Sequence, residues 1–428
     1  MAGTRAAGGT IGWAVPAASR SAAVDLLRLS PLLLGYLVFC AVAQPGPFPV
    51  RDEFDLLAAA HRILDGTLTD PETRNPRAFL WHGPGLPALL APLVALGVPL
   101  EGIRFTGPIL LGVATLLFHR LLRRRLAPRP ALAWTYAFGL YAPFYAGLRA
   151  IHKEPLAVLL IVAAMLATAS GLRTGRRRDL VGAGLALGGL ALVRLEYGWV
   201  LVALLAAAAA GLLFARSRPT ARRLVIVAAT GVALCVPWLA HTWDLTGRPL
   251  YWSSSSGLSV YWMSPTGRGE NGQWHGPFSV RRTPELAAYR PLFDRVGRLT
   301  PLEQDDEFRR LATENIRREP LLYLRNVAAN TSRLFFFAPM NTPRSPVAIA
   351  GCAIFNGALL IGVAWALLAM RRRRSWPPEA AAFGLFAALG IGVHLLASAQ
   401  PRMLTPLVPV LLWFAAADWH RRRETGLG

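Results

Sequence analysis

Apolar segments long enough to cross a bilayer recur from residue 24 to residue 419, and short arginine runs separate them. A helix rises about 1.5 Å per residue, so about 20 apolar residues match the roughly 30 Å hydrocarbon core of a membrane. Hydrophobic residues make up 54% of the 428 positions and charged residues only 16%, a balance that points to a polytopic membrane protein and away from two or three soluble domains. The formal net charge of +22 would suit nucleic acid if it covered one face. Here the arginines cluster between apolar segments, as the positive-inside rule requires. Lys153 is the only lysine. Cys40, Cys235 and Cys352 all fall inside apolar segments, with neither metal-ligand spacing nor a disulfide framework.

Residues 1–21 have the composition of a disordered cytoplasmic tail. The first span covers 24–43. Its Ala41-Val42-Ala43 resembles a signal-peptidase site, but the apolar run is long for a signal peptide and favours an uncleaved anchor. Further spans are expected at 103–122, 131–149, 155–172, 180–195, 197–215, 223–242, 345–370, 379–399 and 402–419. The stretch 86–100 is short for a crossing and carries Pro87 and Pro92. A crossing there would also put the 120–129 arginines outside, so it is expected to lie along the interface. The fold class is therefore all-α and polytopic, with about ten transmembrane helices and both termini cytoplasmic. The expected division is a tail (1–21), a transmembrane module (22–242) with a first outer loop at 44–102, an outer-face segment (243–344), and C-terminal helices with a basic tail (345–428). Within the outer-face segment, 253–276 is expected to be an ordered loop with little regular structure, 302–318 a charged amphipathic helix, and 320–337 a second helix with an aromatic end.

Candidate chemistry gathers at the outer helix ends. Asp52 and Glu53 follow the first span, and helical spacing begins with them. Asp52 could cap that helix, with Asp55 three residues on, or it could accept a proton from a hydroxyl nucleophile. Glu154, beside His152 and Lys153, stands at another outer helix end, where first-turn stabilisation is the simpler role. Arg194 and Glu196 flank a turn close to the hydrocarbon and could pair with each other or serve a ligand. Arg402 opens the last span at the depth of a lipid phosphate, which a guanidinium fork fits. His82 lies in the turn Trp81-His82-Gly83-Pro84-Gly85. No metal-binding, Walker, nucleophile-elbow or HExxH motif is present, so no cofactor is assigned; a divalent metal requirement stays open.

With these residues placed, the chain resembles the C-type polytopic glycosyltransferases, the relatives of protein O-mannosyltransferases and lipid A aminoarabinose transferases. Asp52-Glu53 matches their acidic pair in the first outer loop, and His82-Gly83-Pro84-Gly85-Leu86-Pro87 matches the turn that opens a juxtamembrane helix. Glu154, Arg194, Pro237-Trp238 and Arg402 match the second acid, the basic residue near the fifth span, the Pro-Trp before the large loop and the final outer arginine. Gly83 stands where many relatives carry a first proline.

The resemblance implies sugar transfer from a polyprenyl-phosphate donor to an acceptor glycan, lipid or protein on the extracytoplasmic face of the cell membrane. The expected mechanism is a single inverting displacement, with Asp52 (Glu53 second) as base and Glu154 assisting. Arg194 and Arg402 are expected on the leaving phosphate, with His82, Lys153 and Glu196 also at the substrate. The competing reading is a transporter or flippase of lipid-linked saccharides, which would commonly show internal repeats. None is visible in the sequence.

Overall fold

The computed structural model describes residues 17–50, 52–68, 80–215, 217–267, 269–340, 345–372 and 376–424. Among these the structure is helical, without strands. Helix α1 (Ala17–Ala43) leads through a short extended segment to α2 (Asp52–Leu64). Then come α3 (Gly85–Ala95), α4 (Leu100–Arg104), α5 (Thr106–Arg123), α6 (Pro128–Gly139), α7 (Ala142–Ala146), α8 (Glu154–Thr174), α9 (Arg177–Val193), α10 (Glu196–Gly211) and α11 (Arg218–Thr246). The second polar segment folds as α12 (Ser256–Met263), α13 (Pro277–Arg282), α14 (Arg290–Val296), α15 (Pro301–Arg318) and α16 (Pro320–Phe336). Helices α17 (Pro346–Arg372), α18 (Pro378–Leu396) and α19 (Val408–Glu424) complete the chain.

Among the described residues six helices are long and apolar enough to cross a membrane, and α3, α10 and Pro401–Ala417 are shorter apolar helices. The chain is a multi-pass membrane protein. Its helical core packs α8 between α5 and α9, and α9 against α11.

Several expected boundaries move, each for a local reason. Residues 17–21 already belong to α1, while 1–16 of the expected tail lie outside the described residues. The expected span 131–149 breaks into α6 and α7 at Leu140-Tyr141. Pro143 lacks the amide that would bond to the Gly139 carbonyl and continue the ladder, and its ring crowds that carbonyl. The expected surface helix 86–100 stops at Ala95, Gly97 takes a left-handed φ of 67°, and Leu100 starts the next helix. The last span opens as a 3-10 turn over Pro401–Leu407, with Pro406 inside it. Residues 256–263, expected as loop, form α12, tied down when Asp305 accepts from the Gly257 amide and the Ser256 hydroxyl. The amphipathic helix at 302–318 appears as α15. A Thr300–Glu303 capping box fixes its start.

The segment α12–α15 has its own apolar core of Leu258, Tyr261, Trp262, Phe293 and Phe308. It is held to the helix bundle through backbone and side-chain bonds. Ser398 donates to Ser259 O at 3.1 Å from its amide and to Gly272 O at 2.6 Å from its hydroxyl. The charges of the molecule sort to two ends. At one end Arg125 pairs with Glu379, and Arg123 with Asp25. At the other end lie Asp52, Glu154, Arg194 and Arg402.

Candidate active site

Asp52 and Glu53 are neighbours in sequence with different surroundings. The Glu53 carboxylate is 1% exposed. Arg104 donates to both its oxygens, at 2.9 Å from Nε and 2.8 Å from Nη2. The amides of Ile151 and Val50 add bonds at 2.7 and 2.9 Å. Burial opposes ionisation of Glu53, yet the Arg104 and amide donors outweigh it and lower its pKa. Arg104, itself buried, also donates to the Gly46 and Phe48 carbonyls, so this pair ties the segment after α1 to α4 and to the turn before α8.

Asp52 begins α2 with its side chain turned toward the opposite end of the chain, where Arg402 Nη1 donates to its Oδ2 at 3.1 Å. Arg402 Nε lies 3.8 Å from Glu154 Oε1. Arg194 donates from Nη1 to that same Oε1 at 3.0 Å and from Nε to Glu196 Oε1 at 2.7 Å. The result is a continuous line: Asp52, Arg402, Glu154, Arg194, Glu196. The backbone explains the placement. Glu154 and Glu196 open α8 and α10, where partial positive charge favours a carboxylate, and Arg194 closes α9, where the dipole favours a cation. Arg194 itself is extended, with φ −130°, so the chain reverses at that residue. Along this line exposure differs sharply: Arg194 is 4% exposed and Arg402 39%.

His82 and Lys153 flank the same end. Lys153 Nζ lies 3.1 Å from His82 Nδ1, and His82 Nε2 lies 3.7 Å from Asp55 Oδ2. Burial lowers the pKa of both Lys153 and His82. Burial also opposes ionisation of Asp52, but Arg402, His82 and Lys153 overcome it and hold its carboxyl at about 2. His82 is placed by its turn. A Cβ on Gly83 would stand 1.9 Å from Leu192 O, and one on Gly85 2.7 Å from Val193 Cγ2. Only glycines let this turn press on the end of α9, directly before Arg194.

The structure thus brings together Asp52, Glu154, Arg194, Glu196, Arg402, His82 and Lys153, and sets Glu53 apart on Arg104. Sequence reasoning missed Arg104. It also missed Arg333, which is 1% exposed and bonds to Asn271 O, Ala399 O and Asn330 Oδ1, beside the turn that carries Arg402. Arg104 is a single arginine at the start of an apolar run, which is the signal that would have found it; Arg333, after Asn330-Thr331-Ser332, carries no such signal. Among the described residues no cluster of three or more His, Cys, Asp or Glu is arranged to hold a metal.

Residues 81–241 match the family model described as dolichyl-phosphate-mannose-protein mannosyltransferase. An oligosaccharyltransferase from Archaeoglobus fulgidus, tethered with an acceptor peptide containing the NVT sequon, superposes with a TM-score of 0.55 at 15% identity, over 94% of this chain and 50% of that one. The chain has the C-type glycosyltransferase fold. A second structure of an A. fulgidus oligosaccharyltransferase, AglB, in complex with an inhibitory peptide and a dolichol-phosphate, gives 0.50 at 15% identity, over 95% of this chain and 52% of that one. ArnT from Cupriavidus metallidurans, bound to undecaprenyl phosphate, gives 0.43 at 14% identity, over 94% and 80%. This C-type chain spans about half the length of the oligosaccharyltransferases it matches. No curated protein matches it significantly.

Proposed function

We propose that this C-type chain transfers a sugar from a polyprenyl-phosphate carrier to an acceptor hydroxyl at the extracytoplasmic membrane surface. The observation that carries the reading is the Asp52–Arg402–Glu154 bridge, a solvent-reachable carboxylate and guanidinium at the helix ends. The family matched by residues 81–241 is named for dolichyl-phosphate-mannose, and one structure of the same fold holds a dolichol-phosphate. Both support a lipid-phosphate donor. The arginine runs at the opposite end support placing both termini in the cytoplasm.

In this reaction the acceptor oxygen bonds to the anomeric carbon from the face opposite the phosphate. The carbon–phosphate oxygen bond breaks as the new bond forms, the electron pair leaves on the phosphate, and configuration inverts. Asp52 takes the acceptor proton. Arg402, the more exposed guanidinium of the line, meets the negative charge that develops on the phosphate. Arg194 is buried between Glu154 and Glu196, so its part is to fix Glu154, which in turn orients Arg402. Lys153 and His82 supply further positive and polar character beside Asp52. Glu53, with both oxygens committed to Arg104 and backbone amides, stays outside the chemistry.

The test is release of bare carrier. Purified protein in nanodiscs is given undecaprenyl-phosphate hexoses and acceptors, and mass spectrometry follows undecaprenyl phosphate. Acceptor-dependent release supports transfer; movement of intact donor across the bilayer without release contradicts it and favours a flippase.

A further inference from the structure

Three polar atoms near the charged line have no bonding partner. Tyr197 Oη, His394 Nε2 and Trp252 Nε1 are buried and unpaired. The Tyr197 side chain belongs to the first turn of α10, and its ring meets that of His394 edge-on at 6.0 Å. On its other side it stacks on Phe386 at 5.8 Å. Tyr197 is 2% and His394 4% exposed. The Trp252 indole lies against the next residue, Gly198, where a Cβ would come within 2.3 Å of the ring. Helix α10, helix α18 and the segment after α11 therefore meet at one helical turn, each bringing an unbonded polar atom. Glu196 stands at that turn with one oxygen on Arg194.

Native proteins pair their buried polar groups, because desolvating one without a partner costs free energy. A phenol, an imidazole and an indole N–H beside a carboxylate offer uncharged donors and acceptors, which suit a polyol; a phosphate would call for cations. We infer that the first turn of α10 and the adjoining end of α18 form the subsite for the donor's sugar, with Tyr197 and His394 hydrogen-bonding its ring hydroxyls and Glu196 accepting from another. The inference rests on the lipid-phosphate donor proposed above. Glu154 and Arg194 link Glu196 to Arg402, the guanidinium proposed above for the phosphate.

The experiment uses purified full-length protein and two kinds of ligand. These are bare undecaprenyl phosphate and the same carrier bearing mannose, glucose or galactose, titrated against wild type, Tyr197→Phe and His394→Gln. Wild type is expected to bind the bare carrier and at least one glycosylated form. Each variant should bind that glycosylated form about tenfold more weakly, the loss of one hydrogen bond, with the bare carrier unchanged. Tyr197→Phe keeps the stacked ring, and thermal melts identify a variant that has lost its fold. Equal weakening of both ligands, or of neither, in a folded variant overturns the sugar subsite and leaves the donor reading intact. A wild type that binds neither ligand overturns the donor reading and this inference with it.

Discussion

Arg402 donates from Nη1 to Asp52 Oδ2 at 3.1 Å, joining residues 350 positions apart. The same guanidinium reaches Glu154, 3.8 Å away. One cation is thus held by two carboxylates while 39% of its side chain stays exposed. An exposed ion pair contributes only about 0–1 kcal/mol to stability. Arg402→Met should therefore melt close to wild type yet lose about a hundredfold in transfer rate, the usual cost, about 3 kcal/mol, of removing one preorganised donor. Arg402→Lys should recover only part of this, because an ammonium lacks the flat fork that bridges two groups. Thermal melts and initial rates on the same samples check both outcomes.

The pH profile follows from the same pair. In the proposed mechanism transfer needs Asp52 ionised, and its carboxyl is held at about 2. Wild-type rate should therefore show no acid limb from Asp52 above about pH 4, the ordinary carboxylate range. Removing Arg402 takes away the main charge that opposes burial, so the residual rate of Arg402→Met should fall at a higher pH than wild type. The stability sign agrees: a depressed folded pKa stabilises above the unfolded value, and that contribution disappears as pH drops toward about 2. Rates and melts from pH 4 to 8 decide it. An Arg402→Met profile as flat as wild type down to pH 4 would contradict the assignment.

Glu53→Gln should behave unlike any change at Asp52. It leaves the buried Arg104 without a counter-charge, and breaking a buried pair typically costs roughly 3–5 kcal/mol. Low yield and a large drop in melting temperature are expected. Arg104→Met should fail in the same way, and the double change Glu53→Met/Arg104→Met should regain stability, because an apolar pair can replace a buried ionic one. A Glu53→Gln protein that melts like wild type but has lost transfer would return Glu53 to the chemistry.

Sequence made the membrane class and much of the helix order legible, because apolar length and arginine placement act locally and repeat many times. That these charged residues gather was legible for the same reason: each stands at the end of an apolar run, as Glu154, Arg194 and Arg402 show. What sequence did not reveal is which partner each takes. Asp52 and Glu53 are adjacent and chemically alike, and only the fold shows Arg104 on one and Arg402 on the other. Nor does local pattern show that Arg194 is buried between two acids. Helix breaks were misplaced where a single residue decides them, as Gly97 does after Ala95 and Pro143 after Gly139.

The Gly-Pro-Gly turn offers a test of positioning away from the charges. A methyl at Gly83 would stand 1.9 Å from the Leu192 carbonyl, backbone that cannot swing aside. Gly83→Ala should lower the melting temperature and displace His82 from Lys153 and the end of α9 from Glu154. Transfer should fall more than tenfold. Gly97→Ala, where a Cβ meets open space, is the control: its left-handed φ costs about 1–2 kcal/mol and leaves the site alone. Equal effects of the two changes on transfer would contradict a role for the turn in aligning the site.

Asp52 as the group that removes the acceptor proton is tested by measuring transfer from radiolabelled polyprenyl-phosphate sugar with purified Asp52→Asn protein. An amide keeps the shape and the contact with Arg402 but has no basicity to offer. The predicted result is a folded protein, melting near wild type, whose transfer is lowered a hundredfold or more. Transfer at the wild-type rate by folded Asp52→Asn protein would contradict the account and move the base to Glu154.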